Sequence, residues 1–340
     1  MDGTVFSIII QIAILFLMMI PGIILKKCKL APEGFGKGLS NLVLYIAQPA
    51  LVFMAYVKPY DKNVLMNSLY VLIFSVIVHS IFSVVALNCF RKSPDGRQRM
   101  LRFATIFSNA AFMGIPLIAA VLESSYPGAT LYASIYNITF NLFLWSLGVF
   151  ICTNDKDRDN NGVEDHIDEI IGGASFTKAL VHPVTIAAAV GLIFFILPID
   201  GFIKNDFVIF GKEYANLFGT AFDKLAALVA PLSMMVIGLR LADIDFHGLL
   251  ADRDMYVFLA LRHIILPLAT VGVVRLVMLT GLAISPAVYQ VVVIMASAPA
   301  ATSATMFAEK YDCDAPYVSR LVTVSTLLSI VTMPLMLLLI

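Results

Sequence analysis

Charge is scarce in this chain: Asp, Glu, Lys and Arg make up 14% of its 340 residues, against about a quarter in ordinary soluble domains. The few acids are not where an ion exchanger needs them. No Asp lies in the central part of any long apolar run, and Asp223 and Asp243 fall nearer the ends of one. Sodium and proton exchangers rely on deep carboxylates, so cation exchange is disfavoured as the main reaction. There is no H-E-x-x-H, no P-loop and no pair of acids at membrane depth. An intramembrane enzyme would lack its machinery, and no cofactor or metal ion is expected. Cysteine is limited to Cys28, Cys89, Cys152 and Cys313, each at or beyond the end of an apolar run, so no disulfide framework is expected. Basic and acidic residues balance at 23 each, leaving no net positive charge to hold nucleic acid.

Apolar residues are abundant instead, at 60% of the chain with a mean hydropathy of +0.90. Apolar windows fall near 4–25, 38–57, 64–90, 103–122, 126–151, 179–199, 215–240, 255–274, 286–308 and 317–340. Each has about the twenty residues that cross ~30 Å of hydrocarbon at 1.5 Å per residue. The expectation is an all-α membrane protein with ten spans. MDGTVF is acidic and has no small-residue cleavage site before Pro21, so the first window reads as a span and not as a secretory signal. Seventeen Lys and Arg, including Arg240, Arg253 and Arg262, are assigned to one set of connections; five fall on the opposite set, and Arg275 lies within span eight. By the positive-inside rule both termini are expected outside a plasma membrane and the central loop in the cytoplasm.

That loop, TNDKDRDNNGVEDHIDE at 153–169, divides five spans from five. An odd number of spans per half forces the second half to enter the membrane reversed, as in an inverted repeat. The expected division is 1–152, a linker at 153–176, and 177–340. Residues 157–168 partly fit a calcium loop, but Glu164 stands where a hydrophobic residue belongs and Asp168 replaces the terminal Glu. A solvated linker is the simpler reading.

Proline recurs at matching places. Pro49 and Pro231 are 182 residues apart, and Pro116 and Pro299 are 183 apart, in spans two and four of each half. A helix-interior proline removes a donor and clashes with the preceding turn, costing ~3 kcal/mol or more. In lipid such a break persists only where protein or trapped water replaces the lost partners. Gly114-Ile115-Pro116 and Pro299 are therefore expected to open half-helices at the midplane, whose free amides and positive dipole ends form a cradle for an anion. Carbonyls on the other side of each break are available to a cation or a proton-bearing group.

SNAAFMGIPL, residues 108–117, resembles the S-N-T-G-F-M-G-I-P-L signature of the auxin efflux carrier family. APAATSATMFAEKYD resembles that family's ninth-span proline motif. NLVLYIAQPALVF and APLSMMVIGLRLA resemble its second and seventh spans. The resemblance covers nearly the whole chain and implies a five-plus-five inverted repeat with broken crossover helices four and nine. It implies a scaffold of spans 1, 2, 6 and 7, a moving bundle of spans 3–5 and 8–10, and a homodimer through the scaffold. It also implies a secondary carrier of organic anions such as auxin, malate or malonate, working by an elevator movement. The short central loop is similar to the bacterial branch. Two departures stand out: Ala110-Ala111 replaces the T-G of the signature, and Thr302, Ser303 and Thr305 stand where an amide side chain is expected.

The expected substrate contacts are Asn109, Gly114, Pro116, Pro299, Thr302, Ser303, Gln48 and Asn137, with Asn141 one turn beyond Asn137. Glu123, Glu309, Arg275 and Arg320 are expected at gates or interfaces. His79 reads as a hydrogen-bonded interior histidine and His263, beside Arg262, as interfacial. The alternatives are a sodium-coupled symporter of the bile-acid type and a channel or sensor with a carrier-like body.

Overall fold

The computed structural model describes residues 10–11, 13–153, 180–197, 203, 207–209, 212–214, 216–242, 252–282 and 284–339. The calcium-loop-like stretch at 157–168 and the linker around it lie outside them. Helices account for nearly all of this. They are α1 (Ile20–Lys27), α2 (Phe35–Tyr56), α3 (Lys62–Asn88), α4 (Asp95–Ile106), α5 (Ala110–Val121), α6 (Ala129–Cys152), α7 (Pro183–Ile196), α8 (Leu217–Leu241), α9 (Arg253–Leu279), α10 (Pro286–Ser297), α11 (Ser303–Lys310) and α12 (Ala315–Leu338). A two-stranded antiparallel hairpin, Phe207–Ile209 with Lys212–Tyr214, is added between α7 and α8.

Six of these helices (α2, α3, α6, α8, α9 and α12) are 22 to 27 residues long over their apolar parts, enough to cross a membrane. α3 shows why such a run is uninterrupted: it contains neither Gly nor Pro, and the Asp61 carboxylate caps its start by accepting from the Asn63 amide at 2.7 Å. The exterior is apolar as well as the core. Leu17, Tyr45, Val84, Leu276 and Val331 are exposed, while Gln48, Asn109, Asn137 and Arg262 are buried. An apolar exterior with its few polar side chains turned inward is what lipid selects.

The prolines do not act as their number predicts. α2, α5 and α9 each contain a π turn, at Val43–Ala47, Ala110–Gly114 and Leu261–Ile265, and each turn ends two residues before a proline: Pro49, Pro116 and Pro267. Widening the turn moves the carbonyl that the proline ring would strike and absorbs the missing donor, so the helix continues. Pro49 and Pro116 are thus wide turns, not breaks. Pro231 sits early in a helical segment that resumes after a single turn residue, Leu228. Of the four expected break prolines only Pro299 lies in a true interruption, between α10 and α11. Its counterpart separates α4 from α5 at Phe107-Ser108-Asn109, upstream of the expected Gly114-Ile115-Pro116, and carries no proline.

α8 packs on α1 and α2, and α7 packs on α2. Gly22 of α1 lies against the Met235 carbonyl of α8, and Gly238 of α8 against the Met19 carbonyl. Any β-carbon at either glycine would overlap main chain. On the other side, α10 is surrounded by α3, α5, α6, α9 and α12. Arg97 at the start of α4 ties this second group together at one end. It reaches Asp252 before α9 at 3.3 Å and Asp314 before α12 at 3.0 Å, and lies over the Tyr317 ring. Both aspartates also cap their own helices.

Candidate functional site

The two interruptions meet. Ser108 and Ala300 form an isolated antiparallel bridge, in which the Asn109 amide donates to the Pro299 carbonyl at 2.7 Å and the Ala301 amide donates to the Phe107 carbonyl at 2.8 Å. The exposed main chain of each break is satisfied by the other, which is how non-helical backbone survives at membrane depth. The Ala300 amide completes the set by donating to the Ser325 hydroxyl of α12 at 2.9 Å. Four helix ends converge here: the carbonyl ends of α4 and α10, and the amide ends of α5 and α11.

The carbonyl ends are held by Arg262. It is fully buried, nine residues and about 14 Å along α9 from Arg253. Its Nη1 donates to the Thr105 carbonyl at 3.1 Å. Nη2 donates to the carbonyls of Ala296 at 2.9 Å and Ala298 at 2.7 Å, and Nε donates to Ala298 at 3.0 Å. The Phe82 ring lies 5.5 Å away. No Asp or Glu is buried among the described residues, so this guanidinium has main-chain dipoles and no carboxylate as its countercharge.

The amide ends are different. Asn109 and Thr302 are the N-caps of α5 and α11, and neither makes a side-chain cap bond. Several buried polar atoms have no partner within the protein: Ser108 Oγ, Asn109 Nδ2 and Ser303 Oγ at these caps, Gln48 Oε1 on α2, Ser233 Oγ on α8, and Asn137 Oδ1 and Asn141 Nδ2 on α6. Gln48 Nε2 donates to the Ala111 carbonyl of α5 at 3.1 Å, and α8 packs against the same turn. Unsatisfied buried groups each cost ~1–3 kcal/mol, so these atoms keep hydrogen-bonding capacity for water or a solute.

A family model described as a membrane transport protein matches residues 7–337. The chain belongs to this membrane transport family, the auxin efflux carrier family whose signature its fourth span resembles. An uncharacterized transporter of Methanothermobacter thermautotrophicus is 25% identical over 316 residues, which cover 92% of each chain. The lysosomal cholesterol signaling protein of Mus musculus is 28% identical over 179 residues; these cover 51% of this chain and 20% of that one.

In this transport protein the remaining expected contacts divide by place. Gly114 lies against α10, where a β-carbon would stand 2.6 Å from Met295 Sδ. Pro116 is buried in the first full turn after the π turn. The Thr302 carbonyl accepts from Arg240 Nη1 of α8 at 3.0 Å, and the Thr305 hydroxyl accepts from it at 2.9 Å. Glu123, Arg275 and Arg320 lie away from the crossing. The Glu123 carboxylate accepts from the Gly128 and Thr130 amides and the Thr130 hydroxyl, so it holds the start of α6. Arg275 is exposed and donates to the Leu339 carbonyl, while Arg320 lies near the Tyr317 ring. Glu309 is exposed past the start of α11, within electrostatic reach of Arg240.

Two residues change place relative to the sequence reading. Arg262 belongs to the membrane interior and not to a connection. His263 is buried, with Nε2 2.8 Å from the Ser325 hydroxyl and Nδ1 3.0 Å from the Thr332 hydroxyl. The signal for Arg262 was present in its flanks, since MYVFLAL precedes it and II-L-P-L-A follows after His263. His79 is buried with its Nδ1 2.7 Å from the Ser75 carbonyl.

Proposed function

We propose that this protein is a secondary transporter that moves a small organic anion, a carboxylate of the malate, malonate or auxin-like type, by elevator-type alternating access. The observation that carries this reading is the crossing itself. Two uncapped helix amide ends meet there beside a buried guanidinium, with no buried carboxylate among the described residues and with unpartnered amides and hydroxyls at the caps. Helix amide ends favour negative charge, and polar side chains at that depth give a carboxylate its remaining hydrogen bonds.

The ten-span, five-plus-five inverted arrangement is part of the proposal. Antiparallel pairing of the two breaks supports spans that run in opposite senses, as inversion demands. The close packings of α8 on α1 and of α7 on α2 would then be related copies of one interface, linking span seven to span one and span six to span two. In this reading α1, α2, α7 and α8 form the scaffold, through which two copies pair. The helices joined by α10 and by Arg97 move as one body, carrying the anion between them and the scaffold. Both termini lie outside the plasma membrane.

Reconstituted protein loaded internally with malate or malonate tests the reading. Labelled external carboxylate should accumulate transiently by counterflow and saturate with concentration. Uptake that is linear in concentration and indifferent to internal substrate would favour a channel. Absence of carboxylate uptake in a properly oriented, folded preparation would reject the anion.

A further inference from the structure

We propose that Arg262 is a tethered substitute for a coupling cation: its guanidinium fills the carbonyl cage at the crossing of the broken helices, so that transport needs no sodium. The transport consequence rests on the anion-carrier reading above, whereas the cage is a feature of the fold alone. Carriers with broken helices hold a coupling ion on the unwound carbonyls and half-helix carbonyl ends at the break. Here the equivalent oxygens are those of Thr105 at the end of α4 and of Ala296 and Ala298 at the end of α10, and all three receive the guanidinium. Four of its five N–H groups are used, in the planar fork that an ammonium cannot reproduce.

Two further observations exclude a second cation at the same place. A sodium ion on these oxygens would sit within a few ångströms of a fixed positive charge in a low-dielectric interior. Nor is there a buried carboxylate, among the described residues, to offset the sum. The π turn at Leu261–Ile265 has its own part in this, since the wide turn lies where α9 presents Arg262 to both broken helices, and Pro267 follows it by two residues. The neighbouring His263–Ser325–Ala300 contacts fix the other side of the crossing. The guanidinium thus places a permanent positive charge on the carbonyl side of the crossing.

The experiment is thermal unfolding of the purified full-length protein, with no substrate present, at constant ionic strength. For the native chain the midpoint in sodium chloride should equal that in choline chloride. In Arg262→Ala the midpoint should fall by roughly 10 °C, as expected for a buried charged group with several hydrogen bonds. Millimolar guanidinium should restore part of that loss, and sodium should now stabilise where it did not before. A purely structural arginine would show the fall without either rescue, and that result would overturn the proposal, as would sodium stabilisation of the native chain. If Arg262→Ala cannot be recovered folded, Arg262→Gln replaces it and is read by the same two rescues: partial recovery by guanidinium and new stabilisation by sodium would support the cage, and a lower midpoint with neither would reject it. Failure of carboxylate uptake alongside sodium-insensitive stability would reject the transport reading alone.

Discussion

The main-chain amide of Asn109 donates to the carbonyl of Pro299 at 2.7 Å, joining two residues that lie in different halves of the chain. The bond takes the Asn109 backbone out of the exposed break and leaves its side chain behind, buried and with Nδ2 unpartnered. A residue so placed contributes little to folding that its backbone does not already supply. What its amide offers is a donor at the amide end of α5.

Asn109→Ala should therefore separate binding from stability. Loss of one hydrogen bond to a charged ligand is worth ~1.5–3 kcal/mol, which is about a tenfold to hundredfold loss of affinity. The unfolding midpoint should change by no more than about 2 °C, because no protein partner is orphaned. Counterflow kinetics and thermal unfolding on the same preparation check both parts. Unchanged affinity would remove Asn109 from the site.

Glu123 makes the opposite case. Its carboxylate is committed to two amides and a hydroxyl at the start of α6, so a gating role has no free group to act through. Glu123→Gln keeps one acceptor and should cost ~1–2 kcal/mol of stability by weakening the cap. Substrate affinity should stay within about twofold of the native value, since the residue is not at the crossing. A large kinetic effect with an unchanged midpoint would return Glu123 to the gates.

Arg240 bridges the proposed scaffold and the proposed moving bundle, donating from α8 to the Thr302 carbonyl and the Thr305 hydroxyl. An elevator movement must break these bonds. Arg240→Gln should therefore shift the equilibrium away from the conformation described here. Loss of about 1.4 kcal/mol moves a two-state equilibrium tenfold. Ser303→Cys, in a background with Cys28→Ser, reports the shift through its rate of modification by a membrane-impermeant thiol reagent. That rate should rise by roughly tenfold when Arg240→Gln is added. An unchanged rate would mean that the contact does not hold the two bodies together.

The apolar windows and the second break at Pro299 were legible because both depend on local composition. The first break was not. Phe107-Ser108-Asn109 contains no residue that forbids a helix, and it leaves the helix because Pro299 and Ala301 across the crossing complete its hydrogen bonds. Pro49 and Pro116 gave the converse error, since a π turn upstream lets a proline sit in a continuous helix. Arg262 was misplaced for a related reason. A charge beside a span end and a charge inside one look alike until the carbonyls that receive it are known, and those belong to α4 and α10. Local pattern located the elements, whereas the site is made by contacts between distant ones.

Gly114 tests how tightly the crossing is packed. A β-carbon there would stand 2.6 Å from Met295 Sδ, inside the smallest separation such atoms adopt, and Met295 belongs to the buried face of α10. Gly114→Ala should thus cost ~1–3 kcal/mol by overpacking, although alanine is the better helix former by nearly 1 kcal/mol. The obstacle is one flexible side chain and not main chain, so a second change should relieve it. Met295→Ala alone opens a cavity and is expected to destabilise by ~2–5 kcal/mol. In the double variant the new methyl occupies part of that space, and the combined loss should be smaller than the sum of the two single losses by at least about 1 kcal/mol. Additive losses would mean that α5 and α10 move apart freely at this point, and that the crossing is held by its main-chain bridge rather than by side-chain packing.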